Sequence, residues 1–229
     1  MKPLSKPSIW TLKVIISLLI PLLIILGSVR LLATKQYLAF EYSKADFPED
    51  PFGYDSIQRL NIAGANLRFL NQNRPLADLA GQEQNGEPIY NERELKHMQD
   101  VQNVFQAAWR VWQIALIVVA VSGLALTVRK GARQALASAV TAGGTITTGL
   151  IVVVGLAAII AWRAWFVFFH KVFFAAGTWT FNFTDTLIRL FPEKFWYDAA
   201  LTITGLSLIA GILVSGIGIY SMKRIKQVA

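Results

Sequence analysis

The chain holds two histidines, His97 and His170, and no cysteine. Imidazole titrates near neutrality, so a positioned histidine can take a proton from a nucleophile and return it to a leaving group. Carboxylates stand near both in sequence. Glu94 lies one helical turn before His97 and Asp100 one turn after it; Asp185 and Glu193 share a segment with His170. A carboxylate in contact would orient an imidazole and raise its basicity. The competing structural reading is two unrelated histidines with local hydrogen bonds, Glu94 as a helix cap and Asp185 as a turn cap.

Other chemistries have less support. Without cysteine there is no thiol nucleophile, no cysteine metal ligand and no disulfide. No G-x-S-x-G is present, and Ser43 and Ser56 sit in unremarkable loops. Two histidines with carboxylates can hold zinc, but there is no H-E-x-x-H, and ligands would have to converge from distant segments. The expectation is therefore no metal and no cofactor.

The elements that must position the histidines are set by lipid. The hydrophobic fraction is 54% and only 16% of residues are charged, against roughly 25% charged in a soluble domain. Crossing the hydrocarbon core takes about 20 mostly apolar residues. Four stretches qualify: Val14 to Ala33, Val111 to Val128, Gly143 to Trp162, and Ala199 to Met222. Arg30 lies close enough to the end of the first to snorkel. Pro21 predicts a kink in that span. Ser207, Gly211 and Ser215, spaced four apart, predict a ridge for close helix contact in the last. With no charge at the middle of a span and no span broken at its midplane, transport has little support.

The net charge of +8 is unevenly spread. Lys2, Lys6 and Lys13 precede span 1; Arg129, Lys130 and Arg133 occupy the link between spans 2 and 3; Lys223, Arg224 and Lys226 follow span 4. All 14 acidic residues fall in 34–110 or 163–198. The positive-inside rule then puts both termini and the 2–3 link in the cytoplasm and the two acidic segments outside. The basic excess is a topology signal and gives no reason to expect nucleic acid. The first span, long and without an A-x-A site after it, reads as an uncleaved anchor. The expected fold is an all-α membrane protein, one membrane domain over 1–229. It has four transmembrane helices and an extracytoplasmic head built from the 1–2 and 3–4 connections.

In the first outer segment, Ile57, Leu60, Gly64, Leu67 and Leu70 form a helical stripe. Asn71 to Gly86 reads as loop. Asn91 with Glu94 three residues on predicts a capping box, opening one helix from Glu92 to Val128. At 1.5 Å per residue His97 stands roughly 20 Å along that helix from Val111. The second outer segment, with Trp162, carries just over half of the chain's Phe, Trp and Tyr. Ala161 to Phe174 extends span 3 outward as an aromatic collar. A short turn follows over Thr186–Phe191, and Pro192 opens the helix that becomes span 4. Antiparallel pairing of spans 2 and 3 brings the two histidines to the same side of the membrane. Interfacial anchoring explains some of the collar; its density also suits a lipid-facing groove.

The stretch FFHKVFFAAGTWTFNFTDTLIRLFPEKFWYDA (Phe168–Ala199) resembles a family of four-span bacterial membrane proteins that includes the lipoprotein intramolecular transacylase (Lit). The residues carrying the resemblance are His170, Phe173, Phe174, Trp179, Asp185, Thr186, Leu187, Ile188, Pro192, Glu193, Phe195 and Trp196. Glu94, His97, Asp100 and Val101 before span 2 are similar too. The resemblance implies a multi-pass protein of the bacterial cytoplasmic membrane acting on a diacylated lipoprotein. The sn-2 acyl chain of its diacylglyceryl-cysteine would move to the cysteine α-amino group. An ester becomes an amide, so no nucleotide is required, and the nucleophile belongs to the substrate. Under that resemblance His170 is the expected general base and His97 its partner, with the roles open to reversal. Asp100, Asp185 and Glu193 would orient them. His97, Arg30, Arg163 or Arg189 would donate to the oxyanion. Phe169, Phe173 and Trp179 would line the acyl groove. Two alternatives stand beside it: a non-enzymatic membrane protein binding a lipid or partner protein through its outer segments, and a metal-dependent hydrolase.

Overall fold

Apolar runs without interior breakers become helices, and their ends fall where capping residues stop them. A computed structural model describes residues 5–129 and 131–228, Val228 by its backbone alone. Lys2 and Lys130 lie outside the described residues. The helices are α1 (Lys6–Leu32), α2 (Lys35–Tyr42), α3 (Ser56–Gln72), α4 (Ala77–Ala80), α5 (Glu92–Thr127), α6 (Arg133–Ile160), α7 (Trp162–Phe173), α8 (Thr186–Leu190) and α9 (Glu193–Val228). A short ribbon, β1 (Glu83–Gln84) antiparallel to β2 (Glu87–Pro88), lies between α4 and α5. Helices α1, α5, α6 and α9 are long and apolar enough to cross a membrane. Each expected span lies on one of them, overrunning the helix by no more than two residues at its C-terminal end, while every helix begins well before its span.

The chain divides into two compact units. The first comprises Met1–Val29, Trp109–Leu156 and Thr202–Ala229. Small residues let its helices approach closely, which is how helices associate when no hydrophobic contrast with the surroundings drives them. A Cβ placed on Gly144 would lie 2.4 Å from the Ser215 backbone nitrogen and 2.6 Å from the Gly211 carbonyl oxygen. The expected ridge on α9 is thus in direct backbone contact with α6. Its hydroxyls are also engaged: Ser207 Oγ donates to Ser28 Oγ at 3.1 Å, and Ser215 Oγ lies 3.0 Å from Thr145 Oγ1. Pro21 is buried inside α1.

The second unit, Arg30–Ala108 and Ala157–Leu201, is held by polar fastenings around two aromatic and aliphatic cores. Helix α3 opens on a capping box between Asp55 and Gln58 and closes on Asn73 in the left-handed conformation. Its buried face is Arg59, Ala63, Gly64, Asn66 and Phe69. Ile57, expected on the buried stripe, is 73% exposed. The face turns because two polar side chains find partners inside. Arg59 donates to the carbonyls of Pro48 (2.7 Å) and Arg189 (2.6 Å), and Asn66 donates to Tyr90 Oη at 2.7 Å. The segment expected as plain loop contains α4 and the ribbon, turned by Asn85 and Gly86, both at positive φ.

Candidate active site

His97 sits on the second turn of α5. The expected capping box is formed: Asn91 Oδ1 accepts from the Glu94 backbone N–H at 3.1 Å, and Glu94 Oε2 accepts from the Asn91 N–H at 2.9 Å. Glu94 does more than close its own helix. Its other oxygen accepts the Leu187 N–H at 2.7 Å, satisfying the start of α8. Burial raises the Glu94 pKa above the usual carboxylate range, and the backbone donors work against that.

His170 sits near the end of α7. The expected outward extension of span 3 is helical, with an interruption at Ala161, whose φ of −131° and ψ of 48° leave the helical region. Beyond His170 the chain turns back on itself. Thr178 bonds the Ala175 carbonyl through both its N–H (3.3 Å) and its hydroxyl (2.9 Å), and Gly177 takes φ +82°. A side chain at Gly177 would be strained in that conformation. The turn delivers Trp179 onto His170, with ring centroids 4.9 Å apart.

The two histidines meet. Their ring centroids are 6.3 Å apart and their planes 20° from parallel. Phe174 packs on both, at 4.9 Å from His97 and 5.6 Å from His170. Phe181 covers His97 at 5.3 Å, and Phe166 lies 4.1 Å from His170. Burial in this aromatic setting depresses both imidazole pKa values, that of His97 to about 4 with a smaller contribution from His170. Both shifts favour the neutral ring. His170 Nδ1 lies 2.8 Å from the Phe166 carbonyl oxygen, to which only a protonated nitrogen can donate. The tautomer follows: Nδ1 carries the proton and Nε2 offers its lone pair. His97 Nδ1 is buried without a hydrogen-bond partner.

Among the described residues no carboxylate bonds to either imidazole. Asp185 occupies the position before α8, but its carboxylate accepts from Asn91 Nδ2 (3.0 Å), Arg93 (2.8 Å) and the Asn182 N–H (2.8 Å). Glu193 is exposed at the start of α9, and Asp100 is half-buried on α5 with no ion pair or hydrogen bond to either ring. The arginines are also elsewhere. Arg189 makes a two-pronged pair with Asp50 (2.8 and 3.1 Å) and stacks on Tyr54. Arg30 bonds Asn71 and lies over Phe105, while Arg163 is exposed on α7. Phe169 and Phe173 present apolar surface from α7, 37% and 47% exposed. No three His, Asp or Glu side chains gather into a metal-binding cluster among the described residues.

A family model described as lipoprotein intramolecular transacylase Lit matches residues 14–196, a range containing both histidines and the first three spans. The chain belongs to the Lit family. An uncharacterized protein of Aquifex aeolicus (strain VF5) is 30% identical over 200 residues, covering 87% of this chain and 89% of its own length. The in meso structure of the membrane integral lipoprotein intramolecular transacylase Lit from Bacillus cereus shares the fold. It aligns with a TM-score of 0.80 over 97% of this chain and 100% of its own, at 19% identity. A variant of the B. cereus protein with a histidine replaced by alanine aligns at 0.62 over 96% of this chain and 96% of its own. Within this Lit-family chain, the residues that sequence reasoning did not single out are Phe166, Phe181 and Arg93. The link from Glu94 to Leu187 was also missed, because it joins segments some ninety residues apart that no local pattern connects.

Proposed function

We propose that this Lit-family member is an intramolecular O-to-N transacylase in which His170 and His97 do the proton work. The observation that carries the reading is the meeting of two imidazoles, ring centroids 6.3 Å apart, one with its basic nitrogen fixed by the Phe166 carbonyl. The substrate is a diacylated lipoprotein. Its α-amine, with a pKa near 8, attacks the carbonyl carbon of the sn-2 ester once deprotonated. The carbonyl electron pair moves onto oxygen. His170 Nε2 takes the proton that the nitrogen sheds, a contribution of roughly 10²- to 10⁴-fold. When the carbon–oxygen bond to glycerol breaks, the departing alkoxide receives a proton, and the amide is formed with no net change in protons. Burial lowers the His97 pKa to about 4, which favours its neutral ring. Its role is to relay a proton toward the glycerol oxygen, accepting at one ring nitrogen as it donates from the other. Phe169, Phe173 and Trp179 contribute the apolar wall for the moving chain.

Orientation belongs to the same reading. Lys6, Lys13, Arg129, Arg133, Lys223, Arg224 and Lys226 favour cytoplasmic termini and a cytoplasmic α5–α6 link in a bacterial inner membrane. The connecting segments 34–110 and 163–198 then face outward, where mature lipoproteins present their N-termini. Purified protein in detergent, given a synthetic diacylated lipopeptide, tests the reaction. Conversion to an isomer of unchanged mass carrying an N-acyl group is expected, and His170→Ala should lower the rate by 100-fold or more. An intact diacyl product from well-folded protein would withdraw it.

A further inference from the structure

An oxyanion needs a donor, and the arginines expected to supply one are engaged elsewhere or exposed. Another polar hydrogen lies beside His170. Trp179 Nε1 is buried with no hydrogen-bond partner, on an indole whose ring lies 4.9 Å from that of His170. Indole N–H can only donate. Buried donors are almost always satisfied, and one left without an acceptor is costly. The turn through Gly177 (φ +82°), with Thr178 tied twice to Ala175, holds the ring there.

We infer that the Trp179 indole N–H binds the sn-2 carbonyl oxygen and stabilises the oxyanion formed on it. This rests on the transacylase reading. As the amine nitrogen bonds to the carbonyl carbon, the π pair passes to oxygen and charge builds opposite the indole N–H. His170 Nε2 takes the ammonium proton. When the oxyanion collapses, the glycerol oxygen leaves with a proton and the N–H returns to a neutral amide carbonyl. A neutral donor suits this site, since a cation beside His170 would further depress its basicity. His97 is thereby left to proton transfer.

The test uses the full chain in detergent and the synthetic diacylated lipopeptide. Trp179→Phe removes the N–H and shortens the ring. Replacement of Trp179 by 3-benzothienylalanine keeps the bicyclic shape and exchanges only N–H for sulfur. Loss of one oxyanion donor typically costs about 100- to 1,000-fold in kcat. Both variants should lose that much, with KM changed less than about threefold and the pH position of the histidine limb unmoved. A benzothienyl variant with wild-type kcat would overturn the inference even if Trp179→Phe were slow, because shape alone would then suffice. Failure of the wild-type chain to transfer acyl groups overturns the transacylase reading instead. That outcome is separated from the first by His170→Ala, which must lose activity where wild type has it.

Discussion

The two units hold themselves together by different means. In the first, contact is made by absence: Gly143, Gly144, Gly155, Gly211 and Gly218 leave room that a neighbouring helix fills to van der Waals distance. In the second, contact is made by buried polar groups. Glu41, Arg59, Asn66, Glu94 and Asp185 are all nearly inaccessible. Lys44 bridges Glu41 and Asp198 at 2.8 Å each, and Lys194 bridges Asp46 and Asp198. The difference follows from what each sequence has available. An apolar helix gains nothing from hydrophobic contrast in lipid and relies on shape. A short polar segment without disulfides must fix its loops through specific hydrogen bonds, each of which is costly to leave half-made.

Substitutions sharpen the contrast, and the largest effect is expected in the first unit. Gly144→Leu puts side-chain carbon where the Ser215 and Gly211 backbone already stands, with no flexible neighbour to yield. Loss of roughly 4 kcal/mol or more, seen as failure to recover monodisperse protein, is expected. Retention of wild-type thermal stability would mean the close approach is dispensable. In the second unit Glu94→Ala leaves the Asn91 and Leu187 N–H groups without acceptors. A loss of roughly 3 kcal/mol is expected, with Glu94→Gln recovering about half through its one acceptor oxygen. Thermal unfolding in detergent reads both; equal stability of the two variants would contradict the shared-cap role.

Acid provides the next contrast. His97 has its pKa lowered from 6.5 to about 4 in the folded protein. The stability this represents is fully present above pH 6.5 and is lost as pH falls toward 4, roughly 3 kcal/mol in all. His170, also lowered, acts in the same window. Glu94, raised by burial, acts in the opposite sense. The reading is therefore the difference in unfolding temperature between wild type and His97→Asn across that window, which should narrow as pH falls. A constant difference would contradict burial of the neutral ring. The smallest effect is expected at Arg74 and Asp78, an exposed i,i+4 pair on the same unit, where Asp78→Asn should change stability by under about 0.5 kcal/mol.

The same division explains what the sequence disclosed. Spans are written in runs of apolar residues, and a capping box within four residues at Asn91 and Glu94 is local. Both were legible. So was the ridge at Ser207, Gly211 and Ser215, because its period alone announces a contact face. The buried face of α3 was not, since Arg59 and Asn66 turn inward only because Pro48, Arg189 and Tyr90 await them. The ribbon carried a readable sign, the Asn85–Gly86 pair, beneath a composition that otherwise suggested loop. For the site, the residue types pointed to the two histidines and the topology to their meeting. Which carboxylates and arginines would join them depended on partners such as Asp50 for Arg189 and Arg93 for Asp185, and these are long-range choices.

The central claim is that the His97–His170 pair is the centre of acyl transfer. The most direct measurement is fragmentation mass spectrometry of a lipoprotein N-terminal peptide. The peptide would come from a bacterium that otherwise makes only diacylated lipoproteins, expressing this chain or its His97→Ala and His170→Ala variants. The account predicts one acyl chain moved from glycerol to the α-amine at unchanged mass with the wild type, and an unmoved chain with either variant at equal membrane abundance. Transfer that survives both substitutions would contradict it.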